Sequence, residues 1–239
     1  MEGAGQGGTC RRRDPPLATG YAGAVQFRDR SDAGRRLGEL VGRRLLTDPV
    51  VLGLPRGGVP VAAEVARRLD APLDVFVARK IGAPHQPELG LGALAEGGEP
   101  VFDRRLLAHL GLGEDDLAAT VAAERLEIAR RVAAYRGGRA LEPVTGRTVV
   151  LVDDGLATGG TARAALRALR HLGAGQLLLA VPVAAARSVE SLAAEADAVD
   201  VVLTPPSFRA VGSWYADFDQ VDDDEVVGVL RKTRGRGKA

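Results

Sequence analysis

Cysteine is nearly absent from this chain of 239 residues, since Cys10 is its single example. One cysteine excludes a disulfide framework and any zinc site built from several cysteines. The three histidines, at positions 85, 109 and 171, are too scattered to indicate a histidine metal cluster. No apolar run reaches the roughly 18 residues of a membrane helix, and the N-terminus lacks the apolar core of a secretory signal. We therefore expect a soluble, cytoplasmic protein without a membrane partner.

Net charge is also nearly absent, because 32 lysines and arginines oppose 31 acids and leave a formal charge of +1. Residues 231–239 contain five cations and no acid, so residues 1–230 carry a formal charge of −4. We expect 231–239 to be a basic C-terminal tail. We expect the glycine-rich residues 1–24 to be a disordered N-terminal tail, because they contain too few apolar residues to form a core. The mildly acidic remainder does not indicate a nucleic-acid partner.

Strand and helix patterns alternate between the two tails. The predicted strands are 50–54, 73–78, 148–152, 177–183 and 199–203. The predicted helices are 31–46, 59–69, 114–135, 161–172 and 184–196, with a further helix that starts in the acidic run 222–225. Ser31 is the expected cap of the first helix, and Leu45 is expected on its apolar stripe. Continuous apolar strands between helices are typical of a parallel sheet covered on both faces. We therefore predict one α/β domain at 25–230, a doubly wound parallel sheet with a small hood at about 80–140 that includes a short strand at 91–95.

A glycine-rich turn after the strand 148–152 is the strongest functional signal in the chain. The strand ends on Asp153 and Asp154, and a tight turn then leads into a helix. The turn closes with Ala157, Thr158, Gly159, Gly160 and Thr161. Its glycines let backbone N–H groups approach a ligand, its threonines add hydroxyl donors, and the helix N-terminus favours an anion such as a phosphate monoester. The two carboxylates would repel a phosphate, but they suit vicinal hydroxyls or a hydrated divalent cation. The pattern therefore predicts a ribose 5-phosphate site.

This segment resembles the phosphoribosyl diphosphate (PRPP) motif of type I phosphoribosyltransferases, in which apolar residues precede two acids and a turn ending T-G-G-T. The resemblance covers residues 149–161 without a gap. It implies that Asp153 and Asp154 bind the 2- and 3-hydroxyls of the ribose and that residues 157–161 hold its 5-phosphate. A Walker P-loop is excluded, because it requires a lysine where Thr161 stands.

A second glycine-rich turn, at residues 54–58, lies where this family has its diphosphate-binding loop. Arg56 supplies a planar cation for phosphate oxygens, and Gly57 and Gly58 open the N-terminus of the next helix. The family's loop often contains a cis peptide bond. The resemblance implies catalytic roles for Arg56 and, from the hood, for Lys80. It also implies Mg²⁺ as the cofactor, held largely by the substrate and water and only indirectly by Asp153 and Asp154.

The chain shares further segments with a bacterial group of predicted phosphoribosyltransferases, over residues 27 to about 230. These segments are Phe27–Arg30, Leu54–Gly58, Arg79–Leu89, Gly92–Gly98 and Val211–Phe218. The chain departs from hypoxanthine and guanine enzymes at Ala157, where they carry an aspartate. A 6-oxopurine acceptor is therefore disfavoured, and Glu88 and His85 become the candidates for a general base.

The resemblance implies an enzyme of nucleotide metabolism that transfers phosphoribosyl from PRPP to a nitrogen acceptor, a nucleobase being the expected one, and releases diphosphate. An alternative interpretation is a regulator that binds PRPP or a nucleotide without catalysis. An unrelated sugar-phosphate-binding or hydrolytic α/β protein is a third. The aromatic residues Trp214, Tyr215 and Phe218 could stack on a base or pack in the core. Dimers are common in the family, so the resemblance allows a homodimer, although no interface is recognisable in the sequence.

Overall fold

The structure is a computed structural model that describes residues 27–234, so the predicted N-terminal tail at 1–24 lies outside the described residues. The strands are β1 (Pro49–Gly53), β2 (Leu73–Val75), β3 (Ala78–Ala83), β4 (Gln86–Ala95), β5 (Val101–Phe102), β6 (Thr148–Val152), β7 (Gln176–Val183) and β8 (Ala198–Leu203). The helices are α1 (Arg30–Val41), α2 (Gly58–Leu69), α3 (Arg104–Leu110), α4 (Ala118–Arg136), α5 (Gly160–His171), α6 (Ala186–Leu192) and α7 (Asp223–Arg234). Short 3₁₀ helices at Asp115–Leu117 and Val211–Trp214 precede α4 and Tyr215.

Five parallel strands form the central sheet in the order β2-β1-β6-β7-β8. The chain first moves from β1 to β2 on one side and then returns to place β6 on the other side of β1. The direction of winding therefore reverses between β1 and β6. In open α/β sheets, ligands bind in the crevice outside the carboxyl ends of the strands at such a switch point. The two glycine-rich turns follow β1 and β6, so the fold brings both of them to this crevice.

Both faces of the sheet are covered, as the continuous apolar strands predict. Val51 packs on the face that α1, α2 and α7 cover, whereas Val50 and Leu52 point to the opposite face, where α5 and α6 pack. This alternation follows from the period of two along a strand, which sends neighbouring side chains to opposite faces. The observed architecture confirms the predicted doubly wound α/β fold.

The hood is a second, antiparallel sheet in the order β3-β4-β5, with α4 on one side and α5 on the other. Ile81 and Leu94 join the core on the α4 side, and Ala93 and Ala95 join the core on the α5 side. The strand predicted at 91–95 is thus the end of a longer strand. The hood is therefore continuous with the cores of the central sheet.

Several predicted boundaries differ from the observed ones. The first helix is capped by Asp29, whose carboxylate accepts a hydrogen bond from the N–H of Asp32 at 2.7 Å, so the expected cap at Ser31 was wrong. This helix ends at Val41, and Leu45 is fully exposed. The strand predicted at 73–78 is divided between the end of β2 at Val75 and the start of β3 at Ala78.

The C-terminal end of the described chain is helical. Helix α7 begins in the predicted acidic run and continues to Arg234, so the first four residues of the segment 231–239 belong to a helix. None of the helices within residues 27–234 has the length and apolar character needed to cross a membrane.

Candidate active site

The turns after β1 and β6 approach each other so closely that only glycine fits between them. A Cβ atom at Gly58 would lie 2.8 Å from the carbonyl oxygen of Val152 and 2.9 Å from the Cα of Asp153. A Cβ at Gly57 would overlap the carboxylate of Asp154. The predicted diphosphate loop and the predicted ribose-binding acids are therefore brought together at the switch point.

The turn after β1 prepares the N-terminus of α2 for an anion. The peptide bond between Pro55 and Arg56 is cis, and helix α2 starts two residues later at Gly58. The Arg56 side chain is half-buried. The pKa of Asp223, at the start of α7, is lowered mainly by its hydrogen bond with Tyr135 and least by the charge of Arg56, so Arg56 lies within electrostatic range of that helix end. Two of the first amide groups of α2 already have partners in this turn: the N–H of Gly58 donates to the carbonyl of Leu54 at 3.0 Å, and the N–H of Val59 donates to the carbonyl of Arg56 at 3.2 Å. What this helix end offers an anion is therefore the Arg56 guanidinium and the positive end of the helix dipole.

The turn after β6 is held by the neighbouring connection between β7 and α6. The N–H of Leu156 donates to the carbonyl of Val183 at 2.8 Å, and the N–H of Ala185 donates to the carbonyl of Leu156 at 3.0 Å. The hydroxyl of the buried Ser188 donates to the carbonyl of Ala157. These bonds fix the backbone of the turn from outside, so its own N–H groups can face a ligand. Ser188 carries no local sequence signal, and sequence reasoning missed it.

The same turn has the shape of an anion cradle. Gly159 adopts a φ of 76°, in the left-handed region that glycine tolerates, and α5 begins at the next residue. Ala157 and Thr158 are exposed, and Thr161 lies in the first turn of the helix. Backbone donors, two hydroxyls and a helix N-terminus thus occur together, as the sequence predicts for a phosphate-binding turn.

The acidic pair lies in a poorly solvated position. Burial and the charge of Asp154 raise the pKa of Asp153 well above its ordinary value. Burial also raises the pKa of Asp154, but the guanidinium of Arg30 opposes that rise. The Asp154 N–H donates to the Asp153 carboxylate at 2.9 Å, and the Nε of Arg30 donates to the Asp154 carboxylate at 3.0 Å. Each carboxylate therefore has one oxygen held by the protein, which leaves its other oxygen to face a ligand.

Two of the aromatic residues that the sequence singles out, Tyr215 and Phe218, pack next to the acidic pair. The hydroxyl of Tyr215 donates to the backbone carbonyl of Asp154 at 2.5 Å, and burial raises the pKa of Tyr215 above its ordinary value. The ring of Phe218 stacks on Tyr215, with 4.9 Å between the ring centroids. Trp214 packs on the small apolar cluster around Phe27. These contacts favour the packing interpretation of the aromatic residues.

The hood residues form a separate group of ion pairs. Arg79 donates to Glu124 of α4 at 2.6 Å, and Lys80 Nζ donates to the backbone carbonyl of Glu88 at 3.0 Å. Together with Thr120 these residues line a cleft of about 390 Å³ between the hairpin β3-β4 and α4. His85 is exposed at the tip of the hairpin. The structure thus joins Lys80 to Glu88, two residues that the sequence suggests for catalysis.

The fold and the site together define the class of this protein. A parallel sheet of this order, an antiparallel hood and two glycine-rich turns at the switch point form the type I phosphoribosyltransferase fold. A family model described as the phosphoribosyl transferase domain matches residues 32–219. The chain belongs to the phosphoribosyltransferase family, which confirms the resemblance seen in the sequence.

Known proteins similar to this chain agree with that assignment. Two proteins of Mycobacterium tuberculosis, from strains CDC 1551 and H37Rv, are each named "Putative phosphoribosyl transferase" and are 48% identical to it over 207 residues. The match covers 85% of this chain and 46% of each relative, so the chain spans about half the length of the curated relatives it matches. The chain is also similar to the crystal structure of TT1426 from Thermus thermophilus, with a TM-score of 0.73 and 45% sequence identity. That match covers 87% of this chain and 98% of TT1426.

Proposed function

We propose that this chain transfers the 5-phosphoribosyl group of PRPP to a nitrogen acceptor, a nucleobase being the expected class, and releases diphosphate. The observation that carries this proposal is the meeting of two turns at one switch point. A cationic, glycine-rich turn at residues 55–58 lies directly against the acidic pair Asp153 and Asp154. A ligand that bears a diphosphate next to a vicinal diol has the chemistry to use both turns at once.

The acidic pair and the turn after it would hold the ribose 5-phosphate. The carboxylates of Asp153 and Asp154 accept hydrogen bonds from the 2- and 3-hydroxyls. The backbone N–H groups of residues 157–161, with the hydroxyls of Thr158 and Thr161, bind the 5-phosphate at the N-terminus of α5. Holding the sugar at both ends fixes C1 in one position, and such fixation lowers the entropic part of the barrier.

The turn after β1 would stabilise the leaving group. The bond between C1 and the diphosphate oxygen breaks with its electron pair on the diphosphate, while the acceptor nitrogen forms the new bond to C1 and gives up a proton. Arg56, the amide of Gly57 and the positive end of α2, which begins at Gly58, neutralise the charge that develops on the diphosphate. In the hood, Lys80 supplies a further cation, and Glu88, which already contacts it, is a candidate to take the proton.

Mg²⁺ fits this donor set as a cofactor held mainly by the substrate. Asp153 and Asp154 offer carboxylate oxygens at the switch point, and Mg²⁺ commonly combines one or two carboxylates with water and substrate phosphates. The bound ion would neutralise charge on the diphosphate oxygens. The two acids would hold it indirectly, through the hydroxyls and water that they bind.

Ala157 favours one alternative, a regulator that binds PRPP or a nucleotide without catalysis. Hypoxanthine and guanine enzymes carry an aspartate at this position, whereas Ala157 has no group that could accept a proton. The regulator and the enzyme share the binding site and differ only in turnover.

A diphosphate-release assay with PRPP, Mg²⁺ and a panel of nucleobases separates the two functions, with PRPP binding followed by calorimetry. Base-dependent release supports the transferase, and binding without release supports the regulator. Changing Asp153 and Asp154 together to asparagine should weaken PRPP binding. The matched control changes the exposed neighbours Asp115 and Asp116 in the hood to asparagine, and it should bind PRPP like the wild type. Wild-type protein that binds no PRPP would contradict the transferase and would leave only a regulator that binds a nucleotide.

A further inference from the structure

Arg30, the first residue of α1, lies beside both turns of the candidate site although it is far from them in the sequence. Its Nε is 3.0 Å from the Asp154 carboxylate, and 13% of its side chain and 17% of that of Asp154 are exposed. The position that a Cβ of Gly57 would occupy is 3.1 Å from the same nitrogen. Arg30 therefore packs against the acidic pair and the diphosphate turn at once.

Other groups hold the Arg30 guanidinium in place. Its Nη1 donates to the backbone carbonyl of Asp219 at 2.7 Å. Its central carbon lies 3.9 Å from the ring centroid of Phe218, within the range of a cation–π contact. The guanidinium is planar, and it contacts the Asp154 carboxylate, the Asp219 carbonyl and the Phe218 ring at the same time. These three contacts together fix its orientation.

The segment that supports Arg30 also supports Asp154 directly. Tyr215 donates to the backbone carbonyl of Asp154 at 2.5 Å, and Phe27 forms a parallel bridge with Tyr215. The N–H of Ala216 donates to the carbonyl of Phe27 at 2.7 Å. Residues 27–30 and 214–219 therefore form one unit, which we call the clasp. This unit binds Asp154 through both its carboxylate and its backbone carbonyl.

A structural ion pair alone does not account for this arrangement. Removing two charges from water costs about as much as a buried ion pair returns, so such a pair is weak evidence for a stabilising role. The partner of Arg30 is an acid that, in the proposed function, binds the ribose. Its immediate neighbour, Asp153, carries a like charge that disfavours two ionised carboxylates side by side. A fixed cation on Asp154 offsets that repulsion and leaves the second oxygen of the carboxylate for a hydroxyl.

We propose that Arg30 is a positioning residue for PRPP: with the rest of the clasp, it holds the Asp154 carboxylate in the orientation that accepts a ribose hydroxyl. This inference rests on the proposed function, because it needs a ribose at the acidic pair. It assigns a task to the segments 27–30 and 214–219, which are remote from the PRPP motif in the sequence. It also makes α1 part of the binding site.

The test compares Arg30→Met, Arg30→Lys and the matched control Arg36→Met by calorimetry with PRPP. Arg36 lies on the same helix and is near the same aromatic cluster, 5.5 Å from the Phe27 ring centroid, but it pairs with Asp32 instead of Asp154. Arg30→Met should raise the Kd for PRPP about 10- to 100-fold, the effect of losing a hydrogen bond to a charged group. Arg30→Lys should restore part of the affinity, and Arg36→Met should bind like the wild type. A folded Arg30→Met protein with wild-type affinity overturns the inference.

Steady-state kinetics and a second variant exclude a loss of fold as the explanation. Arg30→Met should raise KM for PRPP more than it lowers kcat, whereas general misfolding lowers the active fraction and leaves KM unchanged. If Arg30→Met does not fold, Phe218→Leu is the deciding variant, because it removes the ring that lies beneath the guanidinium and beside Tyr215, both parts of the clasp, and it should raise the Kd roughly 2- to 5-fold. Unchanged affinity in Phe218→Leu then overturns the inference. Wild-type protein that binds no PRPP overturns the proposed function and this inference together, which distinguishes that outcome from a failure of the inference alone.

Discussion

At the scale of single residues, the candidate site depends on one close approach. The backbone at Gly57 and the carboxylate of Asp154 occupy neighbouring positions that leave no room for a Cβ atom. The same Cβ would also lie 3.1 Å from the Nε of Arg30, which donates to that carboxylate. A glycine at position 57 thus determines the geometry of the diphosphate turn, of the acid and of its cation.

Gly57→Ala tests this close approach. The new methyl group would displace the Asp154 carboxylate, so we expect a loss of stability of about 1–3 kcal/mol, typical of overpacking, and a PRPP affinity at least about 10-fold weaker. Urea unfolding and calorimetry measure the two effects. Gly228→Ala is the control, because its Cβ in α7 would meet nothing within 4 Å, and it should be neutral or stabilising. Wild-type PRPP affinity in Gly57→Ala would show that the two turns do not bind one ligand.

The sequence predicted those residues of the site that lie in short continuous segments. Asp153, Asp154 and the turn to Thr161 are recognisable because strand, acids, glycines and helix start follow one another without a gap. Arg30 is separated from Asp154 by 124 positions and Ser188 from Ala157 by 31, so no local pattern joins either pair. Only the folded chain places them together.

At the scale of secondary structure elements, competing local signals explain the boundaries that the sequence missed. Asp29 and Ser31 are both good N-cap residues and stand two positions apart. Asp29 is the cap because residues 27 and 28 are held in an extended path by hydrogen bonds to residues 214–217, which fixes where the helix starts. The hydrogen bonds between residues 27–28 and 214–217 therefore decide which of the two residues caps the helix. Capping propensity alone does not distinguish Asp29 from Ser31.

A hydrogen bond between α4 and α7 gives a prediction at the same scale. The hydroxyl of Tyr135 donates to the Asp223 carboxylate at 2.6 Å, and this bond is the largest cause of the lowered pKa of Asp223. A carboxyl group with a lowered pKa contributes stability above its unfolded pKa, here 3.8, and loses that contribution as the pH falls through the folded value.

Tyr135→Phe should therefore cost about 1 kcal/mol of stability at pH 7, a modest value because Asp223 is partly exposed. The pKa of Asp223 should rise toward 3.8 in the variant, since the bond that lowers it is lost. The difference in stability between the two proteins should be constant from pH 6 to 8 and shrink below pH 4. Urea unfolding across this range and an NMR titration of Asp223 measure both effects. An unchanged pKa of Asp223 would contradict the bond.

At the scale of the whole molecule, a buried ionic network joins the hood to the central sheet. Arg136, at the end of α4 and 5% exposed, donates to both oxygens of Glu96 at 2.7 Å and to the backbone carbonyl of Val75 at 2.6 Å. Glu96 follows β4 and also accepts the N–H of Val77 at 2.8 Å. The fully buried Asp74 of β2 lies 3.6 Å from the Nε of Arg136. One guanidinium thus connects the long helix, the hood hairpin and an edge strand of the sheet.

Arg136→Met should be among the most damaging single changes in the chain. It removes the guanidinium that binds both oxygens of the Glu96 carboxylate, and removing one partner of a buried ion pair typically costs about 3–5 kcal/mol. Adding Glu96→Gln should recover part of that loss, because the carboxylate charge that lost its guanidinium is then removed. Urea unfolding of the single and double variants measures the coupling. Arg139→Met is the control: Arg139 donates to the carbonyl of Arg136 at 3.1 Å from the same helix end, and its loss should cost about 1 kcal/mol or less. If the cost of Arg136→Met is as small as that of the control, the hood is held by its apolar contacts with α4 and α5 instead of by this network.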